Sequence, residues 1–212
     1  MNIASYIEHT NLKPTLTSSQ VEQLIEEAKA HNFLGVCVPP FWVKKAKRDI
    51  GTDPIKLVTV IGFPLGYNMT EAKLEEARLA IRDGADELDL VINISALKSE
   101  MNWVKIEIAK CAKLAHEHEC LLKVIIETAY LNEKELVDLC HWCADAGADF
   151  VKTSTGFASS GAQVEDIRRM REVLPAHVGI KASGGIKTKE QAIALIEAGA
   201  DRLGASAGAE LL

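Results

Sequence analysis

The sequence lacks the long apolar runs of a membrane protein. Its apolar runs, such as residues 57–61 and 124–126, fall far short of the ~20 residues that a membrane-spanning helix needs. Residues 1–6 contain no basic region followed by an apolar core, so no export signal is visible. We therefore expect a cytoplasmic protein with no membrane partner.

Cysteine and histidine are present, but neither forms a metal or disulfide framework. The five cysteines are Cys37, Cys111, Cys120, Cys140 and Cys143. An odd, irregularly spaced set is typical of reduced thiols in the cytosol. Cys140 and Cys143 have the spacing of a zinc or redox pair, but no second pair exists, so we interpret them as buried residues of a helix. His116 and His118 lack the i, i+4 spacing of a zinc-binding helix, and we expect no catalytic metal.

The sequence also lacks an excess of basic residues. Its net charge is −6 and is spread along the chain, which argues against a nucleic-acid partner and requires any anion site to be local. No glycine-rich dinucleotide fingerprint follows the first predicted strand. The 212 residues, of which 48% are hydrophobic, are enough to bury a core, and we expect residues 1–212 to form a single domain.

Predicted strands and helices alternate from end to end. The strands are 6–11, 34–38, 56–62, 87–93, 121–127, one around Lys152, one around Lys181, and 202–206. The predicted helices begin at capping boxes 17–20, 132–135 and 188–191 and at a cap on Thr70, and two more cover 41–49 and 99–119. Little chain follows the last strand, so the last helix is expected to be truncated.

An internal repeat favours a barrel. The tripeptide Gly-Ala-Asp occurs at 84–86, 147–149 and 199–201, each time where a predicted helix ends and a strand begins. Eight near-equal strand and helix units predict a (β/α)8 TIM barrel of the α/β class. A doubly wound open sheet is the alternative, and the missing dinucleotide fingerprint favours the barrel over it.

Charged residues lie inside strands that are otherwise apolar, where an unpaired charge is costly. Lys152 and Lys181 each precede a turn rich in Ser, Thr and Gly, and Asp89 lies in the fourth strand. In a parallel barrel the carboxyl ends of the strands form the active face. Because side chains alternate along a strand, Asp89 and Lys181 are predicted to point inward. With Lys152, the three groups can converge.

Two neighbouring lysines suit imine chemistry. An ordinary lysine, with a pKa of about 10.4, is almost fully protonated at pH 7, whereas a second cation lowers the pKa and leaves one amine neutral. We therefore predict that Lys181 activates Lys152. The alternative is a structural ion-pair network with Asp89. A purely structural pair needs one lysine for each carboxylate, so two lysines with one carboxylate favour a catalytic role. Lys123 and Glu127 are interpreted as structural partners at the interior or rim of the barrel.

Three turns follow the last three strands. They lie at 154–156, 183–185 and 204–208, and each contains glycine. In many barrels these loops present backbone N–H groups to a phosphate, and glycine allows close approach. Together with the lysines, the turns predict amine chemistry on a sugar phosphate, which would be the small-molecule partner.

Four segments resemble the deoxyribose-phosphate aldolase family. They are FVKTSTG at 150–156, GIKASGG at 179–185, ELDLV at 87–91 and LKVIIET at 122–128, and the likeness extends from residue 8 to residue 206. The resemblance implies a class I aldolase on a TIM barrel. Such an enzyme reversibly cleaves 2-deoxy-D-ribose 5-phosphate to acetaldehyde and D-glyceraldehyde 3-phosphate in deoxyribonucleotide catabolism, without a cofactor.

The same resemblance implies roles for individual residues. Lys152 matches the Schiff-base lysine, Lys181 the neighbour that lowers its pKa, and Asp89 the carboxylate that transfers protons. The phosphate-contacting positions are matched by Gly156, Gly184, Gly185, Gly204 and Ser206. Glu8 stands where the family usually has Asp, and Ala207 stands where some members have a second serine. The family also implies a homodimer.

Two other classes of function fit the same barrel. A phosphosugar isomerase or epimerase would use a carboxylate or metal as its base and would form no covalent adduct. A non-catalytic sugar-phosphate-binding barrel would keep the glycine turns and tolerate the loss of Lys152 with little change in ligand affinity. Covalent attachment of the substrate to Lys152 separates an aldolase from both.

Overall fold

The computed structural model describes residues 1–212, whose eight strands form a closed parallel barrel. The strands are β1 (Ile7–Thr10), β2 (Gly35–Val38), β3 (Lys56–Ile61), β4 (Glu87–Val91), β5 (Leu121–Ile125), β6 (Phe150–Lys152), β7 (Gly179–Ser183) and β8 (Arg202–Ala205). They pair in chain order, and β8 pairs with β1 to close the sheet. The predicted (β/α)8 barrel is confirmed, and the doubly wound sheet is excluded.

Each crossover between neighbouring strands contains at least one α-helix. The helices are α1 (Ser18–His31), α2 (Val43–Ile50), α3 (Thr70–Arg82), α4 (Ile94–Lys98), α5 (Trp103–His116), α6 (Glu133–Asp145), α7 (Val164–Val173) and α8 (Lys189–Glu197). After β8 the chain forms a single 3₁₀ turn, Gly208–Leu211, in agreement with the predicted truncated helix. None of these helices is both long enough and apolar enough to cross a membrane.

Three helices start at the predicted capping boxes. Thr17, Asn132 and Thr188 each accept the backbone N–H of the third helical residue, whose side chain accepts the N–H of the cap in return. The predicted cap at Thr70 is wrong, because the residue before α3 is Met69 and no side chain caps the helix. The Thr70 hydroxyl donates instead to Glu107 Oε2 of α5 at 3.2 Å.

The long helix predicted over 99–119 is present but shorter than predicted. It is α5, Trp103–His116, and a separate short helix, α4, ends before residue 99. Asn93 starts α4 early by accepting the Ala96 N–H at 3.0 Å, and Glu100 interrupts the helical path with a φ of 55°, in the left-handed region that few non-glycine residues adopt. The helix predicted over 41–49 begins two residues later, because a 3₁₀ turn, Pro40–Trp42, precedes α2.

The Gly-Ala-Asp repeat has a structural function at the amino-terminal end of the barrel. Each aspartate accepts a backbone N–H from the start of the preceding strand: Asp86 from Leu57 at 2.8 Å, Asp149 from Leu122 at 2.7 Å and Asp201 from Ile180 at 2.8 Å. The glycine ends the helix with a positive φ in all three copies. The repeat therefore joins β3 to β4, β5 to β6 and β7 to β8 in register.

The apolar core surrounds the sheet, whereas the barrel interior is charged. One cluster of 54 buried residues contains the outward-facing Leu88 and Leu90 of β4 together with the inner faces of the helices. Cys140 and Cys143 belong to this cluster and form no disulfide, so their interpretation as core residues is confirmed. Asp89, between the two leucines, points the other way and is fully buried inside the barrel.

Candidate active site

Lys152, Lys181 and Asp89 meet inside the barrel. The Nζ of Lys152, the last residue of β6, donates to Asp89 Oδ2 at 2.8 Å, and the Nζ of Lys181 donates to the same oxygen at 2.7 Å. The two lysines are aligned on adjacent strands. The alternation of side chains along β4 and β7, read from the sequence, thus leads to the observed convergence.

Lys123 is a further member of this cluster, which confirms its interpretation as an ion-pair partner in the barrel interior. Its Nζ donates to Asp89 Oδ1 at 3.0 Å and lies 2.6 Å from Glu87 Oε2. The signal that places it here is again strand alternation, because Lys123 shares the inner face of β5 with Ile125, which is aligned with Lys152.

Glu8 and Arg202 complete the charged interior. Glu8 accepts a hydrogen bond from Lys181, so the departure from the family's usual aspartate keeps a carboxylate beside this lysine. Arg202 Nη1 lies 3.6 Å from Glu8 Oε1, and its Nη2 lies 3.6 Å from Glu87 Oε1. Sequence reasoning missed Arg202, which is the first residue of β8. No group of three His, Cys, Asp or Glu side chains is placed to bind a metal ion.

The lysines, rather than burial, determine the ionisation of Asp89. Burial raises its pKa, but Lys123, Lys152 and Lys181 outweigh the burial and hold the pKa well below its usual range. Oδ1 accepts from Lys123, and Oδ2 accepts from the other two lysines. Asp89 is therefore a carboxylate in the free protein.

The two lysines of the predicted pair are shifted in opposite directions. Burial is the largest influence on Lys152 and lowers its pKa; Asp89 opposes this effect, and Lys181 adds to it. Burial also lowers the pKa of Lys181, but Asp89 and Glu8 outweigh it, and the pKa is raised. Lys152 is thus the lysine that loses its proton more readily. Burial is the main cause of its lowered pKa, and the second carboxylate partner of Lys181, Glu8, is what separates the two lysines.

The charge count made from the sequence is incomplete. It set two lysines against one carboxylate, whereas the interior contains four cationic and three anionic side chains. These are Lys123, Lys152, Lys181 and Arg202, and Glu8, Glu87 and Asp89. If one cation releases its proton, the numbers of positive and negative charges become equal. This balance lowers the free-energy cost of burying the charges. Lys152 has only one carboxylate partner, Asp89, and is the natural donor of that proton.

A cavity of about 880 Å³ lies over this cluster, and Lys152 lines it whereas Lys181 and Asp89 do not. The three predicted turns form part of its wall. Their cavity-lining residues include Thr155, Gly156, Ser183, Gly184, Gly185, Gly204, Ser206 and Ala207. The backbone N–H groups of Gly156, Gly184, Gly185 and Ser206 donate no hydrogen bond within the chain, so they remain free for an anionic ligand.

Glycine is needed at two of these positions for different reasons. A Cβ on Gly204 would lie 3.1 Å from Lys181 Cε and 2.9 Å from Ser183 Cβ, so Gly204 leaves room for the lysine side chain. A Cβ on Gly184 would lie 3.1 Å from Gly161 Cα and 3.4 Å from Gly156 Cα, and φ is 85° there. Gly184 therefore allows the turns after β6 and β7 to pack against each other.

Comparison with known proteins gives the same family along the whole chain. The family described as DeoC/LacD family aldolase matches residues 3–211. The deoxyribose-phosphate aldolase of Thermococcus gammatolerans is 52% identical over 215 residues, which cover 100% of this chain and 96% of that protein. The enzyme of the same name from Clostridium botulinum strain Okra is 49% identical and is matched over 100% of both chains.

A solved structure agrees with the sequence relatives. The tetrameric deoxyribose phosphate aldolase from Aeropyrum pernix superposes with a TM-score of 0.92 at 36% identity, covering 99% of this chain and 88% of that chain. Family, relatives and fold thus agree over nearly every residue, including the strands that carry the lysines. The chain belongs to the DeoC/LacD family of aldolases and is a class I aldolase, a carbon–carbon lyase.

Proposed function

We propose that this aldolase reversibly cleaves 2-deoxy-D-ribose 5-phosphate to acetaldehyde and D-glyceraldehyde 3-phosphate, with Lys152 as the Schiff-base lysine. The observation that carries the proposal is a buried lysine of lowered pKa on the wall of the cavity, because a neutral amine is the form that attacks a carbonyl. The names of the relatives support the choice of substrate.

The first half of the reaction attaches the substrate to Lys152. The neutral Nζ attacks the aldehyde carbon C1 of the open-chain sugar, so that a C–N bond forms and a carbinolamine results. Asp89, whose Oδ2 lies 2.8 Å from Nζ, transfers a proton from the attacking nitrogen to the oxygen on C1, and then donates a second proton, taken up from solvent, to the resulting hydroxyl. That hydroxyl leaves as water, and a protonated imine remains.

The second half breaks the bond between C2 and C3. Loss of the proton from the C3 hydroxyl converts this oxygen into the carbonyl of glyceraldehyde 3-phosphate, and the C2–C3 electron pair moves into the imine to give an enamine. Protonation of C2 and hydrolysis of the resulting imine release acetaldehyde and regenerate Lys152. The imine itself is the electron sink, so this chemistry requires no cofactor.

Lys181 acts on this reaction through charge. It does not line the cavity, but it shares Asp89 Oδ2 with Lys152 and lowers the pKa of Lys152, behind burial as the main cause. Its own raised pKa keeps Lys181 protonated at neutral pH. A permanently charged neighbour thereby favours the neutral form of the nucleophile.

The free N–H groups of Gly156, Gly184, Gly185 and Ser206 are the proposed donors to the substrate phosphate. Gly204 supports the site indirectly, through the room it leaves for Lys181. Because Ala207 replaces a hydroxyl residue, one hydrogen bond fewer is available than in family members with two serines. The net effect of one such bond is about 1 kcal/mol.

We further propose that residues 1–212 act as one domain, in the cytoplasm and as a homodimer. The single large core cluster supports one domain. Five free cysteines support a reducing compartment. The tetrameric relative from Aeropyrum pernix supports assembly from identical subunits, for which a two-fold dimer is the commonest unit.

Product identification by NMR tests this function. The protein is incubated with 2-deoxy-D-ribose 5-phosphate, and the products are compared with those of a Lys152→Met variant. Acetaldehyde and glyceraldehyde 3-phosphate, formed only by the unchanged protein, are the expected result. A rearranged pentose phosphate would indicate an isomerase, and unchanged substrate in a folded protein would indicate a binding barrel; either would overturn the proposal.

A further inference from the structure

Glu127 is a buried carboxylate that the chemistry described above does not use. It follows the last residues of β5, is 3% exposed, and does not line the cavity. Its backbone has φ 51° and ψ 70°, in the left-handed region where a residue with a Cβ is strained. Such strain persists only where the surroundings enforce it, and it is concentrated at functional sites.

The Glu127 carboxylate forms hydrogen bonds with one residue, Thr155, through both its backbone and its side chain. Its two oxygens lie 3.2 Å and 3.3 Å from the backbone nitrogen of Thr155, which donates to them. The Thr155 hydroxyl donates to Glu127 Oε2 and accepts the backbone N–H of Phe157 at 3.1 Å. One carboxylate thus holds both the backbone and the side chain of Thr155, and through that hydroxyl it reaches Phe157.

These contacts hold a turn that does line the cavity. Thr155, Gly156 and Phe157 are all part of the cavity wall, and Gly156 has both a positive φ of 87° and an N–H without a partner in the chain. The turn is fixed on both sides of Gly156, at Thr155 and at Phe157. The direction of the Gly156 N–H therefore depends on Glu127, although Glu127 itself is behind the wall.

We propose that Glu127 is a positioning residue, which holds the Thr155–Phe157 turn in the conformation that binds the substrate phosphate. The proposal rests on the proposed function, since it assigns the phosphate to this turn. The left-handed backbone at Glu127 is part of the same arrangement, because the side chain it carries reaches Thr155 of the β6 turn. The residue contributes to substrate binding without contacting the substrate.

The test compares substrates with and without phosphate. The ratio of kcat/KM for 2-deoxy-D-ribose 5-phosphate to kcat/KM for 2-deoxy-D-ribose is measured for the unchanged protein and for Glu127→Ala and Glu127→Gln. Glu127→Ala should lower this ratio about 10- to 100-fold, the effect of hydrogen bonds to a charged group, mainly through KM of the phosphorylated sugar. Glu127→Gln retains one acceptor oxygen and should give an intermediate ratio.

A second pair of variants protects the test against misfolding. Thr155→Val removes the hydroxyl that links Glu127 to Phe157 and should lower the ratio. Thr155→Ser keeps this hydroxyl, and its ratio should stay close to that of the unchanged protein. If Glu127→Ala and Thr155→Val, shown to be folded by circular dichroism, leave the ratio unchanged, or lower both kcat/KM values equally, the proposal is wrong.

Binding of inorganic phosphate separates this proposal from the proposed function. Isothermal titration calorimetry should show that Glu127→Ala binds inorganic phosphate about tenfold more weakly than the unchanged protein does, because an oriented donor is lost. This readout requires no turnover. Absence of cleavage by the unchanged protein would overturn the proposed function, whereas equal phosphate affinity in the two proteins would overturn the role of Glu127.

Discussion

Two groups of buried charges occur in this protein, and they differ in how their partners are shared. Between α3 and α5, the Nζ of Lys73 donates to Glu107 Oε1 at 2.8 Å and to the Val91 carbonyl at 2.8 Å. The second oxygen of Glu107 accepts from Thr70. One lysine meets one carboxylate here, and neutral groups complete the hydrogen bonding. Lys73 does not line the cavity over the barrel cluster.

Inside the barrel the partners are shared instead. Asp89 accepts from three lysines, and Lys152 has no carboxylate partner besides Asp89. Lys152 also lines the cavity. Both groups are buried, so burial alone does not distinguish a reactive lysine from a structural one. The difference lies in the number of cations for each carboxylate and in access to a ligand.

Removal of one lysine from each group should produce the largest difference in activity between the two groups. Lys152→Met should lower kcat/KM on the order of 10⁴-fold or more, because the covalent nucleophile is lost. Lys73→Met, the matched variant from the other group, should leave kcat/KM of the folded protein unchanged. Steady-state kinetics, on variants whose folding is checked by circular dichroism, measures both effects. An active Lys152→Met variant would contradict the assignment of Lys152 as the nucleophile.

Loss of the shared carboxylate should have the next largest effect. Asp89→Asn keeps the shape of the side chain but removes its charge, and we expect turnover to fall about 10²- to 10⁴-fold, as for a general acid–base residue. Asp89 raises the pKa of Lys152, so its loss leaves more neutral amine. The decrease would therefore arise from proton transfer. Turnover equal to that of the unchanged protein would show that Asp89 is only structural.

Replacement of Lys181 should change the pH dependence. Lys181 lowers the pKa of Lys152, so in Lys181→Met that pKa rises and the increase of kcat/KM with pH moves to higher pH. The neutral fraction falls about tenfold for each unit by which the pKa exceeds the pH, so the loss should be greatest near neutrality and smaller in alkali. Lys134→Met, an exposed control on α6, should keep the original profile.

A loss in Lys181→Met that is the same at every pH would contradict this pKa role. The rate profile should be measured on both variants over the range in which each stays folded. A parallel shift of the control profile would show that the effect is general.

The structural pair should affect stability and leave catalysis unchanged. Lys73→Met or Glu107→Leu alone leaves a buried charge without its partner, which destabilises by about 3–5 kcal/mol. The double variant removes both charges and should recover most of this loss. Denaturant unfolding of the two single variants and the double variant measures the coupling. Additive losses would show that the pair does not act as a unit.

The barrel and its central cluster could be predicted from the sequence because both depend on short periodicities. Alternation along β4 and β7 places Asp89 and Lys181 on the inner face, and the Gly-Ala-Asp repeat marks three of the junctions between helix and strand. These signals are local, and the closed sheet brings them together. The lysine motifs carried the family resemblance for the same reason.

What the sequence did not reveal depends on partners distant along the chain. Thr70 has the side chain of a helix cap, but Glu107 accepts its hydroxyl. Arg202 enters the interior beside Glu8 and Glu87 only because β8 closes the barrel. In the sequence, Glu127 is only a charged residue at the end of a strand, and its hydrogen bond with the β6 turn is visible only in the fold. Tertiary contacts determine the roles of these three residues, and no periodicity of the sequence predicts such contacts.

Borohydride trapping shows directly whether Lys152 forms the imine. The protein is treated with acetaldehyde and borohydride, which reduces any imine to a stable amine, and the modified peptide is mapped by mass spectrometry. We expect an ethyl group on Lys152, with Lys73 and Lys181 unmodified. A folded protein that carries no ethyl group on Lys152 would contradict it.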